Sequence, residues 1–178
     1  AYRNMYLDSN DQVIENLSLY SHLAVGVPGT VDGMVEIHKK HGKLPWKDLL
    51  EPAIKLAEHG FLLTTKESKN LNRFNKTKAS NSYNPYFKKK YKQGDTIFLP
   101  DLAKTLKAIR DFKRDGFYKG VVAENLIDEM SKNNGLISQE DLNNYKSVWR
   151  DPIFGTYKNY KVISMGPPSS GGVLLLQM

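Results

Sequence analysis

At 178 residues, 40% hydrophobic and 25% charged, the chain has the composition of an ordinary globular protein and the length to bury a core. It contains no cysteine, which excludes disulfides, zinc-thiolate sites and cysteine nucleophiles, and it has no apolar run long enough for a membrane-spanning helix. The net charge of +7 admits nucleic acid or an anionic surface as partner, but the lysines are scattered through every element and fall mostly on polar helix faces.

The first nineteen residues are polar, and Asp8-Ser9-Asn10-Asp11 reads as a turn. Leu23, Val25 and Val27 alternate as in a buried strand that ends at Pro28-Gly29. A helix follows, capped by Gly29 or Thr30, with Val31, Met34, Val35 and His38 on one face and Gly42 at its end. Pro45 opens the next helix. There Trp46, Leu49, Leu50, Ala53, Ile54 and Ala57 form a clean apolar stripe, and Pro52 predicts a kink or two short helices.

Thr64-Thr65 with Glu67 and Ser68 begins another helix, which turns Leu71 and Phe74 inward. The stretch from Thr77 to Lys92 interleaves Tyr83, Tyr86, Phe87 and Tyr91 with Lys88, Lys89, Lys90 and Lys92. Such a pattern can stack single-stranded bases, but a surface loop pinned to the body by its rings is the preferred reading, because the segment is rich in Asn, Ser and Pro at one end and has no repeat. Pro100 starts a helix with Leu102, Leu106, Ile109 and Phe112 inside, with Thr105 beside them, and Gly116 stops it. A further stripe runs through Val122, Ala123, Leu126, Ile127 and Met130, and Asn133-Asn134-Gly135 ends it. Ser138 to Asp141 is close to a capping box, with Leu142 and Tyr145 packing that helix down. The period then changes: Ile153–Tyr157 and Tyr160–Met165 read as a hairpin turning at Lys158-Asn159. Pro167 to Gly172 leads into an apolar helix start, with Ser169 or Ser170 as its cap.

Candidate chemistry is thin. His38 and His41 stand one helical turn apart, but neither His22 nor His59 nor any carboxylate is placed to complete a metal site with them. Glu124, Asp128 and Glu129 fall on solvated helix faces. The glycines at 171 and 172 lack the lysine and spacing of a phosphate loop or a dinucleotide fingerprint. Arg3 reads as an exposed connector residue.

Four stretches resemble the gamma-glutamyltransferase family: Ala24 to Gly33, Gly42 to Trp46 with Glu51 to Phe61, Phe117 to Gly120 with Gly135 to Leu142, and Tyr157 to Tyr160 with Ser164 to Gly172. Each is weak alone; the ordered set across nearly the whole chain is specific. Gly166 stands where that family usually carries a third proline before Pro-Pro-Ser-Ser-Gly-Gly.

The resemblance implies an N-terminal-nucleophile hydrolase of αββα architecture. Its precursor cuts itself into two subunits, and a new N-terminal threonine attacks gamma-glutamyl amides. It places that threonine downstream of Met178 and the family's substrate-binding arginine motif upstream of Ala1. The expectation is therefore an α+β, mostly helical piece of a large subunit, excised from a longer chain. Residues 1–148 are mainly helical, 149–166 are the hairpin and 167–178 the loop and helix start, all in one domain. Catalytic, substrate-binding and metal residues are expected to be none, with Thr30, Thr64 and Thr65 unsupported as nucleophiles and no cofactor. The partners would be the rest of the parent chain and a gamma-glutamyl substrate, with no nucleic acid and no membrane, and the parent periplasmic or secreted. The alternatives are a related acylase or polyglutamate-processing enzyme, or a basic nucleic-acid-binding module built on Lys88 to Lys92.

Overall fold

The computed structural model describes residues 1–74 and 89–178. Two compact units emerge, residues 1–145 and residues 146–178. In the first, the turn at Asp8 forms as expected: the Asp8 carboxylate accepts from the backbone N–H groups of Asn10 and Gln12. A single turn of helix, α1 (Leu17–Tyr20), and a 3₁₀ turn at His22–Ala24 follow. The alternation of Leu23, Val25 and Val27 therefore does not make a strand. The Val25 N–H is spent on the His22 carbonyl, and Val25 is exposed while Val27 packs inward. Among the described residues, no strand pairs with this stretch to reward extension.

The helical body comprises α2 (Thr30–His41), α3 (Trp46–His59), α4 (Thr65–Phe74), α5 (Pro100–Phe112), α6 (Asp115–Tyr118), α7 (Gly120–Lys132) and α8 (Gln139–Asn144). Pro52 lies inside α3 without dividing it into two short helices. It leaves the Asp48 carbonyl without its helical donor, and both residues are on the exposed face, where that carbonyl can be hydrated. Gly116 does not stop α5. The helix ends earlier, at Lys113, which takes a left-handed φ of 52° and donates its N–H to the Ile109 carbonyl; Gly116 is inside α6.

Three apolar clusters form the core of this unit. Val35, Trp46, Leu50, Ile54 and Ile109 tie α2, α3 and α5 together, and the indole N–H of Trp46 donates to the Ile109 carbonyl at 3.0 Å. Tyr118, Ala123, Met130, Ile137 and Leu142 join α6, α7 and α8. Leu63, Tyr91 and Ile97 form the third, with Leu71 against it. It sits beside a short antiparallel pair that sequence patterning missed, β1 (Phe61–Leu62) with β2 (Thr96–Ile97). At two residues per strand, no alternation can develop.

Caps fall where their chemistry directs. Ser138 and Asp141 satisfy each other's backbone N–H at the start of α8, a complete capping box. Thr64 and Glu67 do the same before α4. Several residues assigned to inner faces are instead exposed, at 46% or more: Met34, Leu49, Leu102 and Phe112. Each inter-helix contact uses a narrower stripe than the apolar face offers.

The second unit is the expected hairpin, β3 (Ile153–Tyr157) with β4 (Tyr160–Ser164), packed with α9 (Ser170–Gln177). The positive φ at its turn falls on Lys158, at 51°, rather than on Asn159. Ile153, Gly155, Val162 and Ser164 share one half-buried face, with the Leu176 side chain of α9 lying against Gly155. Phe154 and Ile163 pair on the opposite, exposed face. Ser169 occupies the N-cap position of α9, yet its side chain makes no capping hydrogen bond. The described residues are thus mostly helical with two small antiparallel sheets, one more than sequence patterning predicts.

Candidate functional site

The densest polar arrangement lies where the α2 N-terminus meets α6 and the end of α8. Asp32 is the third residue of α2, where a carboxylate is favoured by the positive end of the helix dipole. It is 3% exposed. A charge so buried requires a partner, and Arg114, at the α6 N-cap, donates from Nε to Asp32 Oδ1 at 2.9 Å. Arg114 Nη2 then reaches the carbonyls of Leu142, Asn143 and Tyr145, at 3.2, 3.2 and 2.6 Å. These carbonyls close α8, so one guanidinium clamps the ends of three helices.

Tyr118 completes the arrangement. It is fully buried and donates its hydroxyl to the Pro28 carbonyl at 2.6 Å, while accepting from the Asp32 backbone N–H at 3.4 Å. Burial holds its phenol above the ordinary tyrosine range. The Arg114 guanidinium carbon lies 4.7 Å from the Tyr118 ring centroid, and the Tyr145 ring stacks on Tyr118 at 5.9 Å, only 6° from parallel. Tyr145 also explains Gly29, because a Cβ there would stand 2.0 Å from the Tyr145 hydroxyl. Chemically the site is a brace. Its guanidinium is directed at Asp32 and at main-chain carbonyls, and its phenol at the chain just before α2.

The residues singled out from sequence are dispersed. His22 pairs with Glu129 at 2.9 Å, His38 meets the Trp46 ring at a steep angle and bonds the Leu44 carbonyl, and His41 and His59 are exposed. Among the described residues, no three histidines or carboxylates converge as a metal site would require. The Thr64 hydroxyl serves Glu67 and that of Thr65 serves Gln93, while Thr30 is exposed at the start of α2, and Arg3 is exposed. Asp128 pairs with Lys132, and Glu124 lies on the same solvated face of α7. Of the aromatic-basic stretch, Tyr83, Tyr86, Phe87 and Lys88 lie outside the described residues, as does the Phe74 side chain. Tyr91 is a core residue whose backbone N–H and carbonyl are both held by the Asn72 side chain, so it offers no ring face for a base.

Asp32, Arg114 and Tyr118 were invisible as a set in the sequence. Only the Pro-Gly-Thr-Val-Asp-Gly run marked one end of it, and Phe-Tyr-Lys-Gly the other. Both runs belong to the stretches that carry the family resemblance. The sequence profile of the gamma-glutamyltranspeptidase family matches residues 1–178, the whole chain. The chain belongs to the gamma-glutamyltranspeptidase family.

Within that family, the glutathione hydrolase proenzyme of Pseudomonas aeruginosa is 42% identical over 182 residues, covering 100% of this chain and 32% of that protein. The Escherichia coli glutathione hydrolase proenzyme is also 42% identical, with the same coverage. The crystal structure of the Helicobacter pylori gamma-glutamyltranspeptidase superposes with a TM-score of 0.90 at 42% identity, over 99% of this chain and 52% of that one. The chain thus spans about a third of the length of these curated gamma-glutamyltranspeptidase relatives. No helix among the described residues is long and apolar enough to cross a membrane.

Proposed function

We propose that residues 1–178 are the helical large-subunit part of a gamma-glutamyltransferase and act in it as scaffold. In this reading the parent is an N-terminal-nucleophile hydrolase, and self-cleavage frees a threonine that lies downstream of Met178. The threonine hydroxyl attacks the γ-carbonyl of a gamma-glutamyl amide. The amine leaves with a proton, and water or an amino acceptor takes the acyl group from the resulting ester. The arginine that grips the substrate belongs upstream of Ala1. No residue from 1 to 178 is assigned a catalytic, substrate-binding or metal-binding role, and residues 1–178 fold as part of one domain of the parent. The hairpin then joins the sheet of an αββα sandwich, and the parent works in the periplasm or outside the cell.

The observation that carries this reading is the family match that spans residues 1–178. The brace at Asp32 and Arg114 supports the scaffold role, since its polar groups are consumed in joining helices.

The test is made on the uncut parent chain. It is purified and incubated, and its fragments are weighed by mass spectrometry. A small piece beginning with threonine, together with turnover of a chromogenic gamma-glutamyl anilide, is the expected result. A parent that stays whole and inactive overturns the reading. Residues 1–178 alone are expected to show no turnover above a no-protein blank.

A further inference from the structure

The sequence contains a single Asn-Gly pair, Asn134-Gly135, and the fold places it at the end of α7. Asn133 caps the helix, and Asn134 follows in the left-handed region, with a φ of 57°. The Gly135 N–H then returns to the Met130 carbonyl at 2.7 Å, the long closing bond of a Schellman turn. Position 134 needs a residue that tolerates positive φ, and asparagine does so. A Cβ at position 135 would stand 2.3 Å from the Sδ and 3.1 Å from the Cβ of Met130, which is itself buried in the core. Asn134 is exposed, and its side chain takes no part in the hydrogen bonds that close the turn.

We propose that Asn134-Gly135 is a site of spontaneous backbone modification, deamidation to isoaspartate, and that closure of the turn after α7 controls it. Water is the only co-reactant. The Gly135 nitrogen bonds to the side-chain carbonyl carbon of Asn134, the C–N bond of the side-chain amide breaks, and the proton of the attacking nitrogen leaves with the NH2 group as ammonia. Water then opens the succinimide at either carbonyl, leaving aspartate or isoaspartate. Glycine favours the attack, because it has no side chain to shield the nitrogen and the freest backbone. In the closed turn that nitrogen is unreactive: its proton is held by the Met130 carbonyl and must be released before the nitrogen can attack. Loss of the same proton is the step of amide hydrogen exchange, so one local opening governs both reactions. Isoaspartate carries the main chain through an extra methylene, and the modified turn cannot close in the same register.

The test incubates the full parent protein in mildly alkaline buffer, native and unfolded in guanidinium chloride. Peptide mass spectrometry follows Asn134, and an isoaspartate-specific methyltransferase scores the product. In the unfolded protein Asn134 is expected to deamidate faster than any other asparagine of residues 1–178. In the native protein it is expected to slow at least about tenfold, by the same factor that protects the Gly135 amide from hydrogen exchange. Asn134→Lys keeps a residue type that this chain already holds at positive φ, at Lys113 and Lys158, and should remove the isoaspartate from the peptide containing Gly135. Native and unfolded rates that agree overturn the inference. So does slow deamidation beside a Gly135 amide that exchanges freely, because something other than the Met130 bond then protects Asn134. A faster asparagine elsewhere in the unfolded chain, or isoaspartate that persists in the Asn134→Lys peptide, removes the site itself. None of these readouts depends on turnover of gamma-glutamyl amides, so the outcome stands apart from the proposed activity.

Discussion

The Asp32 carboxylate and the Arg114 guanidinium, 82 residues apart in sequence, meet at 2.9 Å and tie the first turn of α2 to the end of α8. The Asp32 side chain is almost fully buried and that of Arg114 mostly so. Deleting Asp32 takes away the carboxylate that neutralises the mostly buried Arg114 guanidinium. Asp32→Ala should therefore destabilise the protein by about 3 kcal/mol, the scale seen when one partner of a buried pair is deleted. Arg114→Lys should cost nearly as much, because an ammonium cannot hold Asp32 and three carbonyls in the fork geometry. Urea unfolding of each variant checks both values, and a cost below about 1 kcal/mol for Asp32→Ala, the value of a surface pair, would remove the brace from the account of stability.

Tyr118 adds a pH dependence. Burial raises its folded pKa above the ordinary value of 10.0. The folded state thus holds the phenolic proton more tightly than the unfolded chain. Its contribution to stability is present in full below pH 10 and is lost as pH rises through the folded value. Tyr118→Phe should abolish that alkaline dependence. It should also cost about 1–2 kcal/mol at neutral pH, because the Pro28 carbonyl and the Asp32 N–H each lose a partner. Melting temperature followed from neutral to strongly alkaline pH is the measurement.

Two helical glycines should respond in opposite directions. A Cβ on Gly116 would stand 2.0 Å from the Ala108 carbonyl oxygen, a backbone atom that cannot swing aside. Gly116→Ala should cost about 3 kcal/mol or more through overpacking. Gly33 is interior to α2, and a methyl group added there would meet nothing within 4 Å. Gly33→Ala should stabilise by about 0.5–1 kcal/mol. Thermal unfolding of the pair is decisive, since a shared sign would refute the packing argument.

The capping box of α8 should be acid-sensitive. Hydrogen bonds from the Ser138 backbone and hydroxyl hold the Asp141 carboxyl below its ordinary pKa. That contribution is present above the unfolded value and is lost as pH falls through the folded one. Ser138→Ala should cost about 1 kcal/mol and should reduce, without abolishing, the acid limb of the stability profile, because the backbone N–H at position 138 still donates to Asp141; equilibrium unfolding across the acid range would record the change.

The capping box and the hairpin were legible in the sequence because each depends on residues within a few positions of one another. Ser138 meets Asp141 inside one helical turn, and Tyr157 meets Tyr160 across two residues. The errors have the opposite character. The strand read from Leu23, Val25 and Val27 needed a neighbouring strand that the described residues do not supply, and the end of α5 moved from Gly116 to Lys113 once Gly116 was taken up by α6. Leu102 and Phe112 carry the period of an inner face yet are exposed, because periodicity marks a face without saying what covers it.

The sequence by itself determined the helical character of the chain, most of its caps and turns, and, through four ordered motifs, its family. Hydrogen bonds and side-chain spacing over three or four residues suffice for those. Only the tertiary structure decided which apolar stripes are buried, that Tyr91 is core rather than a stacking platform, and that Arg114 belongs to Asp32. Such choices are made between groups tens of residues apart, where the cost of burying a charge or a ring depends on the partner that folding brings to it.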